Sequence, residues 1–158
     1  MFVHKFDKTV DGCFEFGSQV SAAADKCLDT DAIKSFWSGF CCQAGELEIT
    51  PVDELIFSVG TAEKPELYGN QYAVNVEKTG FCIAGDSKKG LINGFMTLLD
   101  MIKVKSITPC ESVFSIKCGS FKEKPGVANQ MAHFCVFPET ELWEIERFIR
   151  FSAALKYS

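Results

Sequence analysis

The stretch Gln71–Ile102, QYAVNVEKTGFCIAGDSKKGLINGFMTLLDMI, holds two strand patterns, a tight turn and an amphipathic helix in unbroken succession. Tyr72, Val74 and Val76 alternate with Ala73, Asn75 and Glu77, and Lys78-Thr79-Gly80 then turns the chain into Phe81-Cys82-Ile83. Successive strand side chains point to opposite sides, so this alternation around a glycine-bearing turn predicts a β-hairpin with one buried face. Asp86 or Ser87 can accept a hydrogen bond from the free N–H groups that open a helix. Leu91, Ile92, Phe95, Leu98, Leu99 and Ile102 then recur at three- and four-residue spacing, the period of one helix face. Gly90 and Gly94 leave a flat side on that helix where another backbone can approach closely.

Toward the N-terminus, residues 2–16 read as a strand pair around an Asp11-Gly12 turn, with Phe2, Cys13, Phe14 and Phe16 as core positions. Residues 18–42 read as the first helix. Its apolar stripe runs through Val20, Ala24, Cys27, Leu28, Ile33, Phe36, Trp37 and Phe40, with a break at Asp29-Thr30-Asp31. Strands are expected at 46–50 and 55–60, and Glu63, Lys64, Pro65 and Glu66 form an exposed loop leading into the hairpin. Beyond the second helix, Ser112–Cys118 is the next strand. Val127–Phe137 is a mostly apolar run of strand length that Pro138 stops, and Glu139-Thr140 opens a helix with Leu142, Ile145, Phe148, Ile149, Ala153 and Leu155 in register. The expected class is α+β. Residues 1–120 make a mostly antiparallel sheet with two main helices on one face, and residues 121–158 add a C-terminal βα unit.

Composition narrows the function classes. With 158 residues, 47% of them hydrophobic and 23% charged, the chain belongs with soluble globular proteins long enough for a core. Fifteen Phe against three Tyr and two Trp supply apolar area without polar handles, so most are assigned to packing. A formal charge of −5 with dispersed Lys argues against nucleic acid as a partner. Charged residues already appear at His4, Lys5, Asp7 and Lys8, and no apolar run approaches the ~20 residues of a membrane span, so neither a signal peptide nor a membrane segment is expected. Eight cysteines, Cys13, Cys27, Cys41, Cys42, Cys82, Cys110, Cys118 and Cys135, sit mostly inside apolar or strand-like stretches. Buried reduced thiols and a cytoplasmic location follow as the expectation.

No metal or cofactor site is expected. His4 and His133 are the only histidines, and neither Cys-x-x-Cys nor His-Glu-x-x-His occurs. Cys135 lies two residues after His133, a spacing that would place both on one side of a strand, yet core packing is the preferred use. Cys41-Cys42 reads as a helix end carrying two thiols. Gly85-Asp86-Ser87-Lys88-Lys89-Gly90 precedes a helix but lacks the phosphate-loop order, so it reads as a capped strand-to-helix turn.

The deciding stretch also carries a resemblance. Gln71-Tyr-Ala-Val-Asn-Val76, Gly80-Phe-Cys-Ile-Ala-Gly85, Gly90, Asn93-Gly94 and Thr97-Leu98-Leu99 are similar, over roughly a fifth of the chain, to the non-catalytic N-terminal domain that precedes the barrel in glycoside hydrolase family 20. These are the β-N-acetylhexosaminidases. The resemblance implies that residues 121–158 are the first strand and helix of a truncated (β/α)8 barrel, a fold that needs roughly 250 residues in full. It further implies that this chain supports its own downstream catalytic barrel, reaches carbohydrate substrate only through that barrel, and carries no catalytic residue.

Family 20 chemistry uses an adjacent Asp-Glu pair, in which Glu protonates the leaving oxygen and Asp steadies the substrate's acetamido group. The chain's only such pair, Asp53-Glu54, follows Pro51-Val52 and reads as a connection between strands. The arginine that the family places in its first barrel strand has no counterpart in Val127–Phe134; Asn129 and Gln130 stand there and lack its charge and bidentate geometry. Trp37 and Trp143 would stack on sugar rings only if exposed, and both fall within helical apolar periodicity. The alternatives are a carbohydrate-binding module, which requires a row of exposed aromatics on one sheet face, and an interaction scaffold that dimerises through the helix at 140–157.

Overall fold

A computed structural model describes residues 6–40, 47–108, 112–124 and 131–155. The chain divides into two compact units, Met1–Lys124 and Pro125–Ser158. Among the described residues the strands of the first unit are β1 (Lys8–Phe16), β2 (Val20–Asp25), β3 (Leu47–Val52), β4 (Ile56–Gly60), β5 (Tyr72–Glu77), β6 (Gly80–Gly85), β7 (Lys103–Ile107) and β8 (Ser112–Glu123). They form one eight-stranded sheet in the order β1-β8-β5-β6-β4-β2-β3, with β7 paired to β8. The helices α1 (Thr30–Phe40) and α2 (Lys88–Met101) complete this unit. β2 and β3 are parallel and every other ladder is antiparallel, which gives the expected α+β class.

The expected hairpin at 71–85 is present, with Tyr72 opposite Gly85, Val74 opposite Ile83 and Val76 opposite Phe81. It is covered on both sides, however, and every residue of β6 is buried. The N-terminal expectations need correction. Residues 8–16 are one strand that pairs with β8, and Asp11-Gly12 lies in a register shift between Thr9 and Cys13, not in a hairpin turn. Gly12 has φ +120, the left-handed side on which a bulge is accommodated without strain.

The expected helix over 18–42 also divides. Val20–Asp25 is strand β2, and the helix begins only at Thr30, where Asp29 Oδ1 accepts from the N–H groups of Asp31 and Ala32 at 3.0 Å each. Alanine favours helix locally, yet Val20, Ala22 and Ala24 alternate into the core between two pairing strands, so tertiary pairing overrides propensity. β7 is an element the sequence reading missed, and β8 runs five residues past the expected Cys118 end.

Both helices of this unit share one face with an aromatic core. Phe57 lies 4.9 Å from Phe95 of α2 and 6.1 Å from Phe81, and Phe81 meets Phe14 at 6.1 Å. Phe14 stacks on Phe16, and Phe16 touches both Phe114 and the α1 residue Trp37, at 5.6 and 5.8 Å. Each large ring removes 150–250 Å² from water, an area worth several kcal/mol at about 25 cal/mol per Å². The Phe excess therefore supplies this core, as the composition suggested. The opposite face of β5 and β6 carries the small side chains Ala73, Cys82 and Ala84, all buried.

In the second unit α3 spans Leu142–Ala154. Residues 131–137 form no strand, contrary to the reading of Val127–Phe137; residues 125–130 lie outside the described residues. A strand needs a ladder partner for its N–H and C=O groups, and none is present here among the described residues. Phe134 instead stacks on Phe148 of α3 at 4.4 Å. Leu142, Trp143, Ile149 and Phe151 remain exposed, as do Met131, Val136 and Phe137.

Candidate functional site

The acidic pair lies where β3 gives way to β4. These strands flank β2 on its two sides, so the connection must pass over the end of β2. Asp53 there meets Lys26 Nζ at 2.8 Å, and Glu54 meets Lys64 Nζ at 3.0 Å. Their side chains are 81% and 59% exposed. Each carboxylate faces its own lysine on the surface, where an ion pair contributes about 0–1 kcal/mol. A carboxylate dyad must instead converge on one bond in a site that limits water. The strand-connection reading of Asp53-Glu54 matches this geometry.

The remaining candidates are dispersed. His133 and Cys135 are both exposed, and without a strand their two-residue spacing has no shared side. The expectation that Cys135 packs in a core is thereby corrected, and Cys13 is exposed as well; Cys82 and Cys118 are buried free thiols. Phe2, expected in the core, and His4, Cys41, Cys42, Cys110, Asn129 and Gln130 lie outside the described residues. Trp37 is buried, and its Nε1 has no hydrogen-bond partner among the described residues. Trp143 departs from the core expectation: it is 54% exposed and donates from Nε1 to Glu141 at 2.7 Å. Among the described residues no group of three His, Cys, Asp or Glu side chains is placed to hold a metal ion.

The Gly85–Gly90 turn is a built feature. Ser87 is the N-cap of α2, its Oγ accepting from Gly90 N at 3.2 Å, while Asp86 N donates to the Gln71 carbonyl at 2.9 Å. A Cβ at Gly90 would stand 2.2 Å from that carbonyl oxygen, and one at Gly94 would stand 2.6 Å from Ile83 Cγ2. The flat side read from the sequence is thus the seam between α2 and β5–β6. Along the seam runs a buried polar chain. Tyr72 Oη donates to a Glu123 carboxylate oxygen and lies 2.8 Å from Thr97 Oγ1. Thr97 Oγ1 donates to the Asn93 carbonyl at 3.0 Å, and Asn93 Nδ2 donates to Gln71 Oε1 at 2.9 Å. Satisfied in this way, the network fixes the helix register on the sheet.

A cavity of about 130 Å³ opens where the parallel strands β2 and β3 end and α1 begins, lined by Asp25, Lys26, Thr30, Ile33, Ile49 and Pro51 among others. Hydrogen bonds from the Cys27 side chain and backbone hold the Asp25 carboxyl below its ordinary range. Burial and the Asp25 neighbour push the Cys27 thiol up. A thiol in that state is a poor nucleophile, and the adjoining Lys26 is already engaged by Asp53. Packing and local turn chemistry account for this edge of the sheet.

No family model and no curated protein matches the sequence. Among solved structures, an inactive mutant of a GH20 exo-β-N-acetylglucosaminidase from Vibrio harveyi matches over 95% of this chain with a TM-score of 0.55 and 16% sequence identity. The fold is GH20-like. The chain spans 23% of that enzyme's length. At this identity the likeness concerns the course of the backbone alone. Among the described residues, no helix is long and apolar enough to cross a membrane.

Proposed function

We propose that this chain is the non-catalytic N-terminal region of a family 20-like glycoside hydrolase, supporting and positioning a catalytic barrel in carbohydrate degradation. The observation that carries the reading is the fold likeness, which takes in 95% of this chain but 23% of the enzyme it matches. The accessory domain takes in the expected residues 1–120 and runs on to Lys124, because β8 pairs with β5 as far as Glu123, and residues 125–158 supply the first strand and helix of the barrel. Two features of the second unit support that assignment. Residues 131–137 are apolar and without a ladder partner, and α3 leaves Leu142, Trp143, Ile149 and Phe151 open to solvent. A barrel would offer the 131–137 segment a neighbouring parallel strand and would cover a helix that is apolar on several sides. The absence of an arginine in Val127–Phe134 assigns the enzyme a sugar grip different from the family pattern. We place the protein in a reducing compartment as part of this proposal, with Cys82 and Cys118 serving as core residues.

The carbohydrate-binding alternative needs a row of exposed rings. Among the described residues of the first unit, Tyr68 is the single exposed aromatic, which favours the accessory reading over a binding module. The test is to express this chain beside the complete open reading frame and assay both on aryl glycosides, starting with the β-N-acetylglucosaminide. Turnover in the longer protein alone is expected. Turnover by the 158-residue chain, lost on Asp53→Asn or Glu54→Gln, would overturn the proposal, as would silence of both across the panel.

A further inference from the structure

Between β4 and β5, residues 61–70 cross the sheet on the face opposite α2. Asn75 Nδ2 donates to the Glu63 carbonyl at 3.1 Å, and Glu63 N donates to Glu77 Oε1 at 3.1 Å. At the far end the Lys122 ammonium stands 3.6 Å from the centre of the Tyr68 ring. Asn75 is paired with Cys82, Ala73 with Ala84, and Lys122 with Ala73, so all of these side chains share the back face. Ala62, Pro65 and Leu67 are half-buried, whereas Glu63, Lys64, Glu66 and Tyr68 are exposed. The segment thus lies over the back face that holds Ala73, Ala84 and Cys82, which are 0%, 1% and 2% exposed.

Its attachment is light. Backbone hydrogen bonds join it to the sheet only near its ends, among the described residues, from Thr61 N to Thr79 O at 3.2 Å and from Gln71 N to Glu123 O at 2.9 Å. The other ties are solvent-facing: the Glu63 contacts, the 3.0 Å pair of Lys64 with Glu54, and Tyr68 over Lys122. Gly60 at φ +73 and Gly69 at φ +75 bracket the segment. Such a stretch has few interactions to lose on opening, in contrast to the ladders beneath it.

We propose that residues 61–70 form a hinged strap that opens locally, without unfolding of the sheet, and gates access to the Cys82 thiol. Closed, the strap keeps water and electrophiles away from Cys82, and burial pushes that thiol up to about 11. Open, the thiol returns to the ordinary range near ~8.5, so one movement supplies both access and the reactive thiolate.

Site-resolved mass spectrometry of iodoacetamide labelling at pH 8, on the whole 158-residue chain, tests the gate. Cys118, 0% exposed in strand β8 against 2% for Cys82, is the internal control. Removing one exposed ion pair and one exposed cation–π contact, in Lys64→Ala combined with Tyr68→Ala, raises the Cys82 labelling rate roughly five- to twentyfold and leaves Cys118 unchanged. Added salt moves the natural chain the same way by screening Lys64 from Glu54. If the double variant does not fold, Lys64→Gln and the salt series decide the matter. A single shared rate for Cys82 and Cys118, or a Cys82 rate indifferent to salt and to loss of the ties, overturns the proposal.

Discussion

Replacing Gly90 with alanine sets helix propensity against a backbone clash. Alanine in a helix interior is favoured over glycine by about 1 kcal/mol, so an isolated helix would gain from the change. In the fold the new Cβ would lie 2.2 Å from the Gln71 carbonyl oxygen and 2.5 Å from Asp86 Oδ1, well inside the 3.0 Å that real Cβ atoms keep. The obstacle is the start of a central strand, so the first turn of α2 must lift by roughly 1 Å from a close-packed seam. Overpacking of this kind costs about 1–3 kcal/mol. The lift also strains the Asp86 N to Gln71 O bond and the Ser87 cap, each worth about 1 kcal/mol. A net destabilisation of about 2–4 kcal/mol is expected, read by urea unfolding at 25 °C, with a melting temperature lower by roughly 6–12 °C. Gly17→Ala is the control, since nothing lies within 4 Å of a Cβ there, and its effect stays within about 0.5 kcal/mol. A Gly90→Ala chain as stable as the parent would refute the close-approach account of the seam.

The raised Cys82 thiol makes stability sensitive to alkali. Its folded pKa of about 11 lies above the unfolded value, so its contribution is complete below pH ~8.5 and is lost as pH rises toward 11, by up to roughly 2–3 kcal/mol. Urea unfolding between pH 8 and 11 under reductant tests this: Cys82→Ala flattens the decline, and parallel profiles for the two chains would contradict it. Iodide quenching separates the two tryptophans, because Trp143 is 54% exposed and Trp37 is 1% exposed. Trp143→Phe is therefore expected to abolish most quenching, and strong residual quenching would place Trp37 outside the core. Asp53→Asn and Glu54→Gln each remove a surface ion pair and are expected to change stability by less than about 1 kcal/mol, with the turnover of the longer protein unchanged. A hundredfold loss of that turnover would return the pair to catalytic candidacy.

Local pattern was enough to read the stretch from Tyr72 to Met101, because its hairpin, cap and helix are made by neighbours in sequence: Val74 meets Ile83, and Ser87 caps the turn that reaches Gly90. Composition was likewise enough to assign most of the phenylalanines to a core. Where partners are distant, the same residues left the outcome open. Val20–Asp25 reads as helix from its apolar spacing and becomes β2 because β3 and β4 pair with its two edges. Asp11-Gly12 has the composition of a hairpin turn and becomes a bulge because β8 runs alongside both halves of β1. Asp53 and Glu54 had the right order for a dyad, and their separate lysines, Lys26 and Lys64, are settled only by where the β3–β4 crossing lies. Glu63, Lys64, Pro65 and Glu66 read as an exposed loop, and only the fold shows Pro65 half-buried, with Ala62 and Leu67, among exposed charged neighbours. Short-range periodicity encodes which side of an element is apolar; the element that covers that side is chosen by long-range pairing, whose loop-closure cost and packing gain are properties of the whole chain.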